Sequence, residues 1–259
     1  MSNQAVLTQD HGAVRLLTVN RPEALNALNE DVKLGFMEAL ENAKHDDSVG
    51  VLVITGAGRA FSAGGDLLRF QAMAQDGDWH ARERFTDLDF PRALCNFPKP
   101  MIAAINGAAF GWGFTMPLLC DLRLASSKAV FSAAFVRIGV TPEFGSAYFL
   151  SRLVGLGRAM ELVLTARQFD AAEALSMGIL HRVTAPEELL PAALELGVEI
   201  AALPRPAIRM TKAIMRHGAD SSLEQTLGYE IDKFKQAMAT PEHLAAVQAM
   251  LGQLREKKA

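Results

Sequence analysis

Two stretches of the chain carry residue types from which an anion-stabilising site can be built. One is Ala63-Gly64-Gly65-Asp66; the other runs Asn106-Gly107-Ala108-Ala109-Phe110-Gly111-Trp112-Gly113. Each follows a strand-like apolar run and precedes a helix-like segment. A helix N-terminus exposes backbone N–H groups without intrahelical partners and the positive end of the macrodipole. Glycine lets that backbone approach a ligand closely. Two such turns aimed at one point would hold the oxygen of a developing enolate, where each preorganised donor contributes on the order of 3–4 kcal/mol. Taken alone, a glycine turn between strand and helix is usually an ordinary chain reversal.

Carboxylates are the second ingredient. Glu143 lies in Gly139-Val140-Thr141-Pro142-Glu143-Phe144-Gly145-Ser146, and the flanking Pro142 and Phe144 would desolvate it and raise its pKa toward a range useful for proton transfer. The residues alone leave a second reading open: a glutamate opening the helix after Pro142 is favourable on dipole grounds. Asp66 reads as a helix cap and Asp121 as a turn residue. Other chemistries find no support. Gly56-Ala57-Gly58 follows a strand-like run, but Phe61 stands where a dinucleotide fingerprint needs its third small residue. There is no G-x-S-x-G elbow. The six histidines show no i, i+4 or H-x-H pairing, so no metal site is expected.

These residues need elements to carry them. Ala5–Leu7 and Val14–Val19 read as strands around a His11-Gly12 turn. Val32, Phe36, Ala39 and Ala43 recur at helical spacing and predict a helix over 30–45. The β-branched run Val49–Thr55 reads as a strand buried on both faces, and Met101–Ile105 as another buried strand. Helices are expected from about Leu67 and from the second glycine turn through Leu119, with short strands at Leu122–Ala125 and Ala129–Phe131. From about Ser146 the pattern is helical, with Leu189, Ala193, Leu196 and Ile200 on one face. Strands alternating with helices before a helical tail predict an α/β core, and the likeliest boundary is Leu203-Pro204-Arg205-Pro206.

Composition bounds the class. Of 259 residues, 50% are apolar and 7% aromatic, enough for one sizeable aliphatic core. A net charge of −3 without a basic stripe argues against nucleic acid. Two cysteines build no disulfide framework. Met1-Ser2-Asn3-Gln4 has neither the basic patch nor the apolar run of a signal peptide, so a soluble cytoplasmic protein is expected. The charge-free stretch between Lys99 and Asp121 is long enough to cross a bilayer. Its Asn106, Gly107, Gly111, Gly113 and Pro117 break it into core elements instead, so no membrane partner is expected.

Asn20-Arg21-Pro22 with Asn26-Ala27-Leu28, Phe61-Ser62-Ala63-Gly64-Gly65-Asp66, Lys99-Pro100 with Asn106-Gly107, and Cys120-Asp121 occur in order over nearly the whole chain. Together they resemble the crotonase (enoyl-CoA hydratase/isomerase) superfamily. The resemblance implies a spiral of ββα units over 1–203, a C-terminal helical region over 204–259 that forms a homotrimer or a dimer of trimers, and acyl-CoA thioesters as ligands. No cofactor is implied beyond the coenzyme A carried by the substrate. By position, the oxyanion donors are the backbone N–H groups of Gly65 and Trp112. Arg21, Ala24, Leu25 and Ala27 fall where the family places pantetheine and adenine, and Leu67 falls near the oxyanion loop. Ala63, Gly64, Asp66 and Gly111 complete the two turns, with Thr115 and Phe135 as further substrate contacts.

The family's hydratases use two glutamates flanking a water. Thr115 and Phe135 occupy those two positions here, and neither transfers a proton near neutral pH. Glu143 instead matches the single glutamate of peroxisomal-type Δ3,Δ2-enoyl-CoA isomerases, and a double-bond shift needs one base to move one proton. An isomerase with Glu143 as shuttle is therefore expected, with two alternatives: a hydratase with a different acid/base set, or an acyl-CoA-binding protein without activity. Leu223, Leu227, Ile231 and Phe234, and then Leu244, Val247, Leu251 and Leu254, form stripes that a helix would bury on its own domain or on a neighbour. The resemblance favours the neighbour.

Overall fold

In a computed structural model of the chain, residues 4–76 and 88–256 are described. His80 and the first three residues lie outside that set. Strands β1 (Val6–His11) and β2 (Val14–Val19) form an antiparallel hairpin closed by Gly12 at φ 61°. Helix α1 spans Glu30–His45; the Asn29 side chain caps it by accepting from the Val32 N–H, and Val32, Phe36, Ala39 and Ala43 face the core.

The chain then winds through a repeated unit. Each turn places one strand in a six-stranded sheet and the next, shorter strand in a four-stranded one. The pairs are β3 (Val51–Gly56) with β4 (Ala60–Ser62), β5 (Met101–Ile105) with β6 (Ala108–Phe110), and β7 (Leu122–Ser126) with β8 (Val130–Ser132). Helical segments follow each pair: α2 (Leu67–Asp76) and α3 (Asp89–Cys95), then α4 (Trp112–Thr115), then α5 (Ser146–Val154) and α6 (Leu156–Thr165). This is the expected spiral of ββα units. Strands β2, β3, β5 and β7 run parallel, and β3 and β5 are buried throughout. The expected run from the second glycine turn to Leu119 is not one helix. It divides into β6, the one-turn α4 and a 3-10 turn at Met116–Leu119, because glycines and Pro117 interrupt it.

The segment after Ser146 is not purely helical either. Two short strands interrupt it: β9 (Phe169–Asp170) pairs with β8, and β10 (Arg182–Thr184) extends the large sheet beside β7. Both are too short to show a period in sequence. Between them lies helix α7 (Ala171–Ser176). Helix α8 (Leu189–Ala201) lays Leu189 and Ala193 on Val14, Val51, Val53 and Ile102, covering the large sheet.

Three helices end the described chain: α9 (Arg205–Gly218), α10 (Leu223–Met238) and α11 (Pro241–Glu256). Across the break before α9, Lys212 donates to the Lys99 carbonyl and to Asp121, each at 2.7 Å, and Arg216 reaches the other Asp121 oxygen at 3.0 Å. Asp121 also accepts from the Met101 N–H. It is thus more than a turn residue: it clamps the C-terminal helices to the core. Neither α10 nor α11 buries a residue, and both leucine-rich stripes are exposed. No helix among the described residues is long and apolar enough to cross a membrane.

Candidate active site

Parallel neighbours in a sheet finish at the same edge, and this decides where the functional residues meet. Strands β4, β6 and β8 are parallel and adjacent, so the segments leaving them, Ala63–Asp66, Gly111–Thr115 and Ala133–Phe135, emerge side by side. The first two are in backbone contact. A Cβ on Gly64 (φ 104°) would stand 2.9 Å from the Phe110 carbonyl oxygen, and one on Gly111 (φ 51°) would stand 3.6 Å from the Gly64 Cα. Glycine is required at 64 for both its φ and its clearance.

The Gly111 N–H donates to the Ser132 carbonyl, joining the second and third segments. Leu28 lies along the first turn: its N–H donates to the Gly64 carbonyl at 2.7 Å, and its carbonyl accepts from the Asp66 N–H at 3.1 Å. In such a parallel bridge the Gly65 N–H points away from Leu28, and among the described residues it has no acceptor. Trp112 opens α4, where the first amides lack intrahelical partners. The Phe114 and Thr115 N–H groups turn back to the Gly111 carbonyl, whereas the Trp112 N–H has no acceptor among the described residues. Two unpaired backbone donors therefore sit on two touching turns.

Glu143 reaches the same place from the loop between β8 and α5. The helix begins only at Ser146, so the reading of Glu143 as a helix-opening residue does not hold. Instead, the Thr115 hydroxyl donates to Glu143 Oε1 at 2.8 Å. Burial pushes the Glu143 carboxyl up to about 7, against the opposing effect of the Thr115 hydrogen bond. The next residue, Phe144, is held at φ 54°. Its ring meets Phe90 and Trp112 edge-on, with centroids 5.2 and 6.3 Å away. A positive φ on a phenylalanine is unfavourable, and these ring contacts hold it there. The Trp112 side chain is a core aromatic, packed against Phe36 and Phe90 as well.

Thr115 and Phe135, where the resemblance places the two glutamates of hydratases, both lie at the glycine turns. Thr115 is fully buried, and Phe135 lies beside Gly111 with a ring carbon 3.9 Å from where a Gly111 Cβ would be. Arg21 donates to the Ala27 carbonyl at 2.7 Å and to Asp66 at 3.2 and 3.3 Å. Asp66, read as a cap, directs one carboxylate oxygen to Arg21, while its carbonyl accepts from the Phe70 N–H as α2 begins. The Ala63 N–H donates to the Leu25 carbonyl, so Ala24, Leu25 and Ala27 run alongside the first turn. Leu67 is exposed at its edge.

Some motif residues without an evident chemical role build the site. Asn26 is fully buried; its side chain accepts from the Arg21 N–H and donates to the Ala57 and Ala60 carbonyls. Asn106 accepts from the Gly56 N–H and donates to the Gly58 carbonyl. Lys99, also fully buried, donates to the Ala43 and Asp46 carbonyls. A polar residue beside an apolar run is the signal that such ties leave in a sequence. No group of three or more metal-ligating side chains gathers among the described residues.

The profile of the enoyl-CoA hydratase/isomerase family matches residues 9–256. The chain belongs to this family. The crotonyl-CoA hydratase of Syntrophomonas wolfei is 35% identical over 254 residues, spanning 97% of this chain and 96% of its own. Among solved structures, enoyl-CoA hydratase subunit I of Geobacillus kaustophilus is similar with a TM-score of 0.90 at 34% identity, covering 96% of this chain and 95% of that one. A monofunctional enoyl-CoA isomerase from M. smegmatis has a TM-score of 0.73 at 36% identity, covering 86% and 98%. As a member of the enoyl-CoA hydratase/isomerase family, the protein is an acyl-CoA enzyme. Its relatives include proteins named for each of the family's two reactions.

Proposed function

We propose that the protein is a Δ3,Δ2-enoyl-CoA isomerase that uses Glu143 as its proton shuttle and needs no cofactor beyond the coenzyme A of its substrate. One observation carries this reading: among the described residues, the Asp66 and Glu143 carboxylates at the glycine turns differ in their partners. Asp66 is held by Arg21, whereas Glu143 meets a hydroxyl and has its pKa near neutrality. The thioester oxygen would accept from the Gly65 and Trp112 N–H groups. Glu143 removes a proton from C2 of a 3-enoyl thioester, and the electron pair delocalises into a dienolate whose oxygen those donors stabilise. Glu143 then returns the proton at C4, leaving the double bond between C2 and C3. A base of pKa about 7 both takes and gives a proton near neutral pH.

Arg21, Ala24, Leu25, Ala27 and Leu67 would line the coenzyme A path, as they run along the oxyanion turn. The exposed stripes on α10 and α11 would be buried between subunits of a homotrimer or a dimer of trimers. The second reading, hydration of a 2-enoyl thioester, is favoured by relatives named hydratases. It would require Glu143 to handle a water without a second carboxylate. Side-by-side turnover of 3-enoyl-CoA and 2-enoyl-CoA separates the two. Faster hydration than isomerisation rejects the isomerase reading, and absence of both reactions leaves an acyl-CoA binder.

A further inference from the structure

Among the described residues, no backbone N–H donates to the Glu143 carboxylate. It sits in a loop between a 3-10 turn (Ala134–Ile138) and α5, and that loop has positive φ at Gly139, Phe144 and Gly145. Its main-chain anchors are the Val140 N–H on the Phe135 carbonyl and the Ser146 N–H on the Glu143 carbonyl. The carboxylate itself meets one polar group among the described residues, the Thr115 hydroxyl at 2.8 Å. Thr115 is the last residue of the one-turn helix that Trp112 begins, and its own N–H is tied to the Gly111 carbonyl at 2.9 Å. Base and oxyanion turn are thus joined through a single buried hydroxyl.

Resting on the isomerase reading above, we propose that Thr115 is a positioning residue: its hydroxyl locks Glu143 against the oxyanion turn and favours the proton-accepting form of the base. A threonine hydroxyl has one proton. Donated to Oε1, it leaves Oε2 as the oxygen that takes the C2 proton and delivers it to C4. The bond is charge-assisted while Glu143 is ionised and weakens once Glu143 is protonated. The Trp112 carbonyl, 3.4 Å from the same hydroxyl, offers an alternative acceptor in that state. Burial lifts the Glu143 carboxyl, and the Thr115 bond pulls it back toward ionisation. No described charge takes part. The adjacent Phe144 packs on Phe90 and Trp112, and Arg137 of the neighbouring turn is directed to the Ala166 carbonyl.

The test compares hydroxyl-deleting and hydroxyl-keeping variants of the full chain: Thr115→Val, which keeps the volume, Thr115→Ala, and Thr115→Ser. Isomerisation of a 3-enoyl-CoA is followed from about pH 5.5 to 9, with circular dichroism and assembly mass as fold controls. The Val and Ala variants should move the acidic limb of the kcat profile upward by about one pH unit. Their plateau kcat should fall about tenfold with KM little changed, as expected of a misplaced base. The Ser variant should keep the wild-type limb and stay within about threefold in kcat. An unmoved limb in Val and Ala overturns the proposal. So does a Ser variant that behaves like Val, or loss of fold in Val and Ala while Ser folds, since each makes Thr115 a structural rather than a positioning residue. Full activity of Glu143→Gln would sink the underlying isomerase reading instead, and that result is read independently of Thr115.

Discussion

Glu143→Gln tests the chemistry and its energetic cost together. The native carboxyl is raised from 4.5 to about 7 by burial. Between those values the folded protein holds a proton that the unfolded chain has released, so stability falls as pH rises through this window. The full shift corresponds to about 3 kcal/mol at 1.36 kcal/mol per pH unit. Glu143 is half-buried, so solvent screening reduces this to about 1–2 kcal/mol. Glutamine is neutral, similar in shape, and its amide oxygen can still accept from Thr115. The variant should therefore match the wild type near pH 4.5–5 and exceed it at pH 8. For a chain of this size the gain is about 2–8 °C in Tm. Thermal unfolding at fixed protein concentration, which removes the effect of assembly, measures the gap at both pH values. Isomerase kcat should fall at least ~100-fold while acyl-CoA binding is retained. A Tm gap that does not widen with pH would show that Glu143 is not held against its own ionisation. Retention of more than about a tenth of wild-type turnover would remove it from the proton path.

Gly64→Ala should lower kcat by about 100-fold or more, because its Cβ would stand 2.9 Å from the Phe110 carbonyl and displace one glycine turn, proposed to hold the thioester oxygen, from the other; near-normal turnover would show that the contact between the turns is not needed. Glutamates placed at both Thr115 and Phe135 should yield little hydration of 2-enoyl-CoA, since Phe135 is buried and an acid there lacks polar partners. Robust hydration by that double variant would mean that the pocket accommodates a water between two acids. Truncation after Leu203 should give insoluble protein, because it removes Lys212 and Arg216 from Asp121 and deletes the helices proposed to join subunits. Light scattering of the full chain should report a trimer or hexamer, and a monomeric mass at micromolar concentration would refute the assembly.

Read along the chain, residue type and period were enough to define much of this protein. Alternating apolar runs and helical stripes specify the α/β core, because burial on two faces or on one leaves a periodic trace. Helix 30–45 and strand Met101–Ile105 emerge at their observed bounds. The glycine turns, the absence of acids at 115 and 135, and the candidacy of Glu143 are likewise local facts. Strands β9 and β10 left no trace, since two or three residues cannot display a period and their partners lie far off in sequence.

The tertiary structure decided which local facts act together. Parallel pairing of β4, β6 and β8 brings three distant segments to one edge, and sequence spacing carries no information about that pairing. It shows Glu143 outside the helix and on Thr115, which turns an ambiguous glutamate into a carboxyl with a pKa near 7. It turns Asp66 toward Arg21 and makes Asp121 a clamp for Lys212 and Arg216, when both read as turn or cap residues. The reason is general to polar groups: an apolar residue announces its burial by its neighbours' period, whereas a polar side chain takes its role from whichever partner the fold brings within about 3 Å.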